Sequence, residues 1–142
     1  MSEFKVGVVG VGKMGEYHVG VLSEMREVDL VGVVDSDQER AKKISEQYKT
    51  RSYKNYKDLF NEVDAVVVAV PTSLHYAIGK EFIEAGIHTL LEKPCTDDLS
   101  KAEELFDLAE KKKIILHIGH VERFNGAVQE LFKIVKDPIY IE

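Results

Sequence analysis

Hydrophobic positions along the chain fall into short continuous runs separated by segments with helical spacing. Phe4–Val9 is almost wholly apolar, which suits a parallel strand covered on both faces. Asp29–Asp35, Ala65–Ala69, His88–Leu91 and Ile114–Ile118 repeat that pattern, and Thr50–Tyr53 reads as a shorter strand. Between them lie helix-period segments: Lys13–Met25, Asp37–Gln47, Ser73–Ala85 and Ser100–Lys112, with a small helical turn at Tyr56–Phe60. In the first helix Met14, Val21, Leu22 and Met25 form the expected buried stripe. Ser36 with Glu39, and Ser100 with Glu103, have the spacing of capping boxes. Gly86 and Gly119 stand where a helix and a strand must stop. Short connections and strict alternation predict right-handed crossovers and a doubly wound parallel α/β sheet of the Rossmann kind, helices on both faces.

The pattern changes after residue 120. Phe124–Lys136 reads as an amphipathic helix with Val128, Leu131, Phe132 and Val135 on one side. Pro138 stops it, and Ile139–Ile141 looks like a strand beginning. This divides the chain into 1–120, a dinucleotide-binding domain, and 121–142, a linking helix that ends in a short edge strand or disordered tail, or in the start of a second domain. Apolar positions left bare on that helix predict self-association into a homo-oligomer.

Composition narrows the classes. At 142 residues, 44% hydrophobic and 31% charged, the chain can bury one substantial core. Its formal net charge of -6, with no offsetting basic stretch, argues against nucleic acid as a partner. No apolar run approaches the roughly 18 residues of a membrane span. Cys95 is the only cysteine, so no internal disulfide forms, and a cytoplasmic setting is expected.

The chemistry gathers at the ends of the strands. VGVVGVGKMG at residues 6–15 places Gly10, Val11, Gly12, Lys13, Met14 and Gly15 between a strand and a helix. Gly10 permits the tight turn, Gly12 lets backbone approach a pyrophosphate, and Gly15 lets helix and strand pack closely. The helix start offers unpaired N–H groups to an anion. Asp35 ends the second strand, where a carboxylate can accept from ribose hydroxyls and repel a 2′-phosphate, favouring NAD over NADP. Ser36 follows it, and Arg40 lies too far along the helix for a phosphate clamp; Asp35 could also simply cap a turn. Val70, Pro71 and Thr72 form the loop after the Ala65–Ala69 strand and should border the crevice. His75, on the next helical turn, can approach the cofactor or pack between elements. Glu92 and Lys93 follow the His88–Leu91 strand: Lys93 can donate to a hydroxyl and stabilise developing negative charge, with Glu92 pairing to it, or remain a solvated charge. His120 and Arg123 lie at the same edge. No HExxH, repeated CxxC, nucleophile elbow or Walker motif occurs, and no metal site is expected.

GVVGVGKMG, the acidic strand end at Asp35, AVPTSLH, LLEKPC and GHVERFN follow one another in this order. The succession resembles the N-terminal half of the Gfo/Idh/MocA oxidoreductases, and GHVERFN resembles members acting on nucleotide sugars, 3-dehydrogenases among them. The resemblance implies NAD or NADP bound by this half and a sugar, cyclitol or nucleotide-sugar hydroxyl as the hydride donor. It also implies a catalytic role for Lys93 near the nicotinamide. In such proteins a second domain completes the substrate pocket and the acid–base machinery. A stand-alone NAD-binding regulatory or interaction module is the alternative.

Overall fold

The computed structural model describes residues 4–136. Six strands alternate with helices: β1 (Phe4–Val9), α1 (Lys13–Glu24), β2 (Val28–Val34), α2 (Gln38–Gln47), β3 (Arg51–Tyr53), β4 (Ala65–Val68), α3 (Thr72–Glu84), β5 (His88–Leu91), α4 (Leu99–Lys112) and β6 (Leu116–Ile118). A 3₁₀ turn at Tyr56–Leu59 joins β3 to β4. Another at Val121–Phe124 precedes α5 (Gly126–Ile134). All neighbouring strands are parallel, in the order β3-β2-β1-β4-β5-β6. The doubly wound α/β architecture expected from the sequence is therefore present. The order reverses between β1 and β4, and it is outside the carboxyl ends of such strands that an open α/β sheet forms its binding crevice.

The continuous apolar runs are explained by cover on both faces. Val6, Val8, Val33 and Val67 pack with Val19 of α1 and Ile44 of α2. Their neighbours Val9, Val34, Val66 and Val68 point the other way, onto Leu59 of the 3₁₀ turn, Phe82 and Ile83 of α3, and Leu105 of α4. Alternate residues of one strand thus serve two separate cores, because successive side chains leave opposite faces of a sheet.

Several local expectations change. In α1 the buried positions are Gly15 and Val19, with Leu22 half-buried, whereas Met14, Val21 and Met25 are exposed. The cause is close approach at Gly15, which turns that side of the helix inward: a Cβ there would stand 1.8 Å from the Gly10 carbonyl oxygen. Neither capping box forms. Asp37, not Ser36, caps α2, its Oδ1 accepting from the N–H groups of Glu39 and Arg40 at 3.1 Å each. Asp98, not Ser100, caps α4. In both cases a carboxylate at the cap position takes the free N–H groups, and the serine binds a neighbouring carboxylate. Gly86 closes α3 with φ +80°, as expected. On α5 Leu131 and Phe132 are exposed, and Phe124 lies in the preceding turn. The strand expected at 139–141 lies outside the described residues.

Candidate functional site

A cleft of about 750 Å³ crosses the carboxyl ends of β1, β2 and β4. Gly10, Gly12, Lys13 and Met14 form one wall, Asp35, Ser36 and Arg40 another, and Val70, Pro71 and Leu74 a third. Lys54, Asn55 and Tyr56 close the far end from the segment after β3.

The glycines divide their work. Gly10 has φ +83°, a conformation that side chains rarely adopt, and a Cβ there would press within 2.6 Å of the Ala69 carbonyl oxygen. Gly15 is sealed against that turn. Gly12 has an ordinary φ of -65°, and nothing lies within 4 Å of where its Cβ would be. The space over Gly12 is therefore open cleft, and the first two needs of a pyrophosphate, a tight turn and bare backbone, are met by different residues.

Helix capping points to the same place. α2, α4 and α5 are capped by the side chains of Asp37, Asp98 and Asn125. Among the described α-helices, only α1 and α3 lack a side-chain cap, with Gly12 and Pro71 at their N-cap positions, and both open on this cleft. Their first-turn N–H groups and the positive ends of their dipoles face a space that an anion can enter. A dinucleotide fits this donor set.

Asp35 is buried at the end of β2, 6% exposed. Its Oδ2 accepts from Val11 N–H at 2.8 Å and Arg40 Nε at 3.1 Å. Its Oδ1 accepts from Asp37 N–H at 2.9 Å and Arg40 Nη2 at 2.9 Å. Burial pushes this carboxyl up, but the Arg40 guanidinium and the two backbone donors outweigh it and hold it below the usual carboxylate range. Val11 thus contributes as a donor to Asp35 and is itself buried rather than exposed to the cleft. Arg40, which spacing along the chain puts too far for a phosphate clamp, has a different partner: the first turn of α2 folds back over the strand end, and the guanidinium grips the Asp35 carboxylate with two bonds. Lys54, Asn55 and Tyr56 were not anticipated. The signal available for them was the parallel order itself, which brings every strand's carboxyl end to one edge.

The other expected residues are distributed beside the cleft. Thr72 begins α3 and is half-buried. His75 is 1% exposed, with both ring nitrogens within 3.2 Å of backbone carbonyl oxygens, and so does not reach the cleft. Glu92 is 5% exposed and Lys93 is exposed. The expected Glu92–Lys93 side-chain pair is replaced: Glu92 Oε1 lies 2.7 Å from His18 Nε2, while Oε2 accepts from the Lys93 backbone N–H at 3.1 Å. Just past the end of β5, Glu92 is turned inward onto His18 while Lys93 is left exposed. Cys95 is half-buried and burial pushes its thiol up, which fits a packing role. Among the described residues no group of three His, Cys, Asp or Glu side chains is arranged to hold a metal ion. No described helix is long and apolar enough to cross a membrane.

Known proteins share this arrangement. A UDP-N-acetylglucosamine 3-dehydrogenase of Acidithiobacillus ferrooxidans is 36% identical over 131 residues, covering 92% of this chain and 41% of that protein. A solved structure of the enzyme so named from that organism superposes with a TM-score of 0.87 over 94% of this chain and 44% of the other, at 35% identity. GenD2 from gentamicin A biosynthesis, solved in complex with NAD, matches at 31% identity and a TM-score of 0.81, covering 84% of this chain and 35% of that one. KijD10, a 3-ketoreductase from Actinomadura kijaniata solved with TDP-benzene and NADP, matches at 25% identity and 0.87, covering 94% and 43%. The chain thus spans less than half the length of the curated relatives it matches. Residues 4–120 match the family model described as an oxidoreductase family with an NAD-binding Rossmann fold. With its glycine turn, uncapped α1 and acidic β2 end in the places that this fold uses, the chain belongs to the Gfo/Idh/MocA oxidoreductase family, of whose NAD(P)-binding domain it is an example.

Proposed function

We propose that this chain is the cofactor-binding part of a dehydrogenase or ketoreductase acting on a sugar, cyclitol or nucleotide-sugar hydroxyl. The observation that carries the reading is the uncapped N-terminus of α1 opening on a cleft beside Asp35. In this reading the pyrophosphate lies over Gly12, with Gly10, Lys13 and Met14 around it, and the adenosine ribose lies against Asp35 and Ser36. Val70, Pro71 and Thr72 border the path towards the nicotinamide. Residues 1–120 form the binding domain and 121–142 lead towards whatever completes the substrate pocket. The relatives, which include a UDP-N-acetylglucosamine 3-dehydrogenase and a 3-ketoreductase, support the substrate class.

When bound, the nicotinamide supplies the hydride acceptor or donor. The chain's own contribution to that step is Lys93, whose ammonium would hydrogen-bond the reacting hydroxyl and stabilise the charge that develops as its proton leaves. Fixing that hydroxyl over the ring demands further residues, because proximity and a placed base are both required.

NAD is preferred to NADP. The buried Asp35 carboxylate has all its close acceptor positions filled by Val11, Asp37 and Arg40. Arg40 is half exposed and can turn aside for a ribose hydroxyl, whereas the backbone donors cannot. A 2′-phosphate would meet the carboxylate at close range. Titration of the protein with NADH and NADPH, followed by nicotinamide fluorescence, tests this. NADH should bind at least about tenfold more tightly, a difference of about 1.4 kcal/mol. Equal affinities would remove the NAD preference, and failure of the folded protein to bind either at millimolar concentration would remove the cofactor reading.

A further inference from the structure

The segment that carries Lys93 leaves the sheet with little backbone support. Glu92 N–H still bonds Val68 and Gly119 N–H bonds Leu91, but among the described residues no backbone–backbone hydrogen bond involves residues 93–97. Two histidines from different helices hold this segment instead. On one side His18 of α1 meets the Glu92 carboxylate at 2.7 Å, and the same carboxylate accepts the Lys93 N–H. That carboxylate packs so closely on Gly119, at the end of β6, that a Cβ there would come within 2.8 Å of Oε1. On the other side His75 of α3 turns Nδ1 to the carbonyls of Pro94, at 2.9 Å, and Cys95, at 3.2 Å. Its Nε2 lies 2.9 Å from the carbonyl of Val70, in the loop after β4.

These rings are not incidental surface contacts. His75 is 1% exposed, and all of its polar neighbours are carbonyl oxygens, so only a donor can occupy that place. The His18 side chain is 18% exposed and that of Glu92 7%, which makes their bond a partly desolvated one. Both histidines start from helices whose N-termini open on the cleft. Each therefore couples the helix that would bind the dinucleotide to the loop that would present Lys93.

We propose that His18 and His75 are positioning residues, which together clamp the Lys93 segment to α1 and to the Val70–Thr72 loop. The proposal rests on the reading that Lys93 lies at the nicotinamide end of a bound dinucleotide. Neither ring touches the dinucleotide in this scheme, and their effect passes through residues 92–95.

The test compares His18→Leu and His75→Leu with His18→Gln and His75→Asn, whose side-chain amides keep an N–H donor at each place. Two ligands separate the ends of the site: NADH spans it, whereas ADP-ribose reaches only the glycine turn and Asp35. The Leu variants should lose about fivefold or more in NADH affinity and hold ADP-ribose unchanged, with the donor-keeping variants recovering part of the loss. Backbone hydrogen exchange over residues 92–98 should quicken by about tenfold while β1 and β2 stay protected. Equal loss of both ligands, or exchange that quickens through the whole sheet, would reduce the histidines to general stabilisers and overturn the proposal. If His75→Leu fails to fold, the more exposed His18 pair decides by the same criteria. If the wild-type protein binds neither ligand, the cofactor reading fails, and the exchange measurement alone then supports or overturns the clamp.

Discussion

Substituting alanine at two glycines of one motif should separate folding from ligand binding. Gly15→Ala places a Cβ 1.8 Å from the Gly10 carbonyl oxygen and 2.8 Å from its carbon. Both are backbone atoms of a turn that is itself held by Gly10 N–H bonding Val34, so neither can move aside alone. α1 must lift from the sheet, which disturbs Val19 in the core beneath. Overpacking costs about 1–3 kcal/mol, and a clash with fixed backbone puts this site at the upper end, about 3 kcal/mol, or roughly 10 °C in melting temperature for a domain of this size. Gly12→Ala meets nothing within 4 Å and keeps an allowed φ of -65°. Reduced freedom of the unfolded chain favours it slightly, and alanine is a poorer N-cap, so stability should stay within about 1 kcal/mol of wild type. Its methyl group would nevertheless occupy the space proposed for the pyrophosphate, and NADH affinity should drop at least about tenfold. Urea denaturation gives the first quantity and NADH titration the second. Equal destabilisation by the two substitutions, or unchanged NADH affinity in Gly12→Ala, would refute the reasoning.

Phe82 is fully buried, with Phe60 edge-on at 4.9 Å and Tyr56 at 5.9 Å between ring centroids, so Phe82→Ala should cost about 3–5 kcal/mol in a urea titration. Asp35 is held below its ordinary range, so it contributes stability above the unfolded carboxylate value of about 4 and loses it as pH falls through the lower folded value. The stability difference between wild type and Asp35→Asn should accordingly shrink as pH is lowered below about 4, and a difference constant down to pH 2 would contradict the pairing with Arg40. The Tyr53 hydroxyl is buried with no hydrogen-bond partner, so Tyr53→Phe should leave the melting temperature unchanged or raise stability by up to about 1 kcal/mol.

The order of elements was legible in the sequence because the central strands β1, β2 and β4 are nearly continuous apolar runs, a pattern that cover on both faces explains, as for Val8 and Val9 serving opposite cores. The glycine turn, Asp35 and the Pro71 loop were legible for a related reason. Each stands just after a strand, and in a parallel sheet those positions share one edge. Spacing along the chain could not reveal the connections among them. Arg40 reaches Asp35 only because α2 begins by folding over the end of β2. Glu92 turns to His18 of α1, which lies 74 positions earlier, instead of to its neighbour Lys93, a contact between elements that spacing along the chain does not register. The capping residues were missed for a local reason: a carboxylate one position after Ser36, and another two positions before Ser100, competes for the same N–H groups as the serine.

Periodicity and turn chemistry act within a few residues, so the sequence by itself determined the α/β alternation, the glycine turn and the edge at which the chemistry collects. The tertiary structure decided that the two uncapped helices open on one cleft, which glycine packs and which lies open, and which side chains hold Asp35 and Glu92. Those choices depend on how residues far apart in the chain approach one another, and burial then makes each unpaired donor or acceptor costly enough to select its partner.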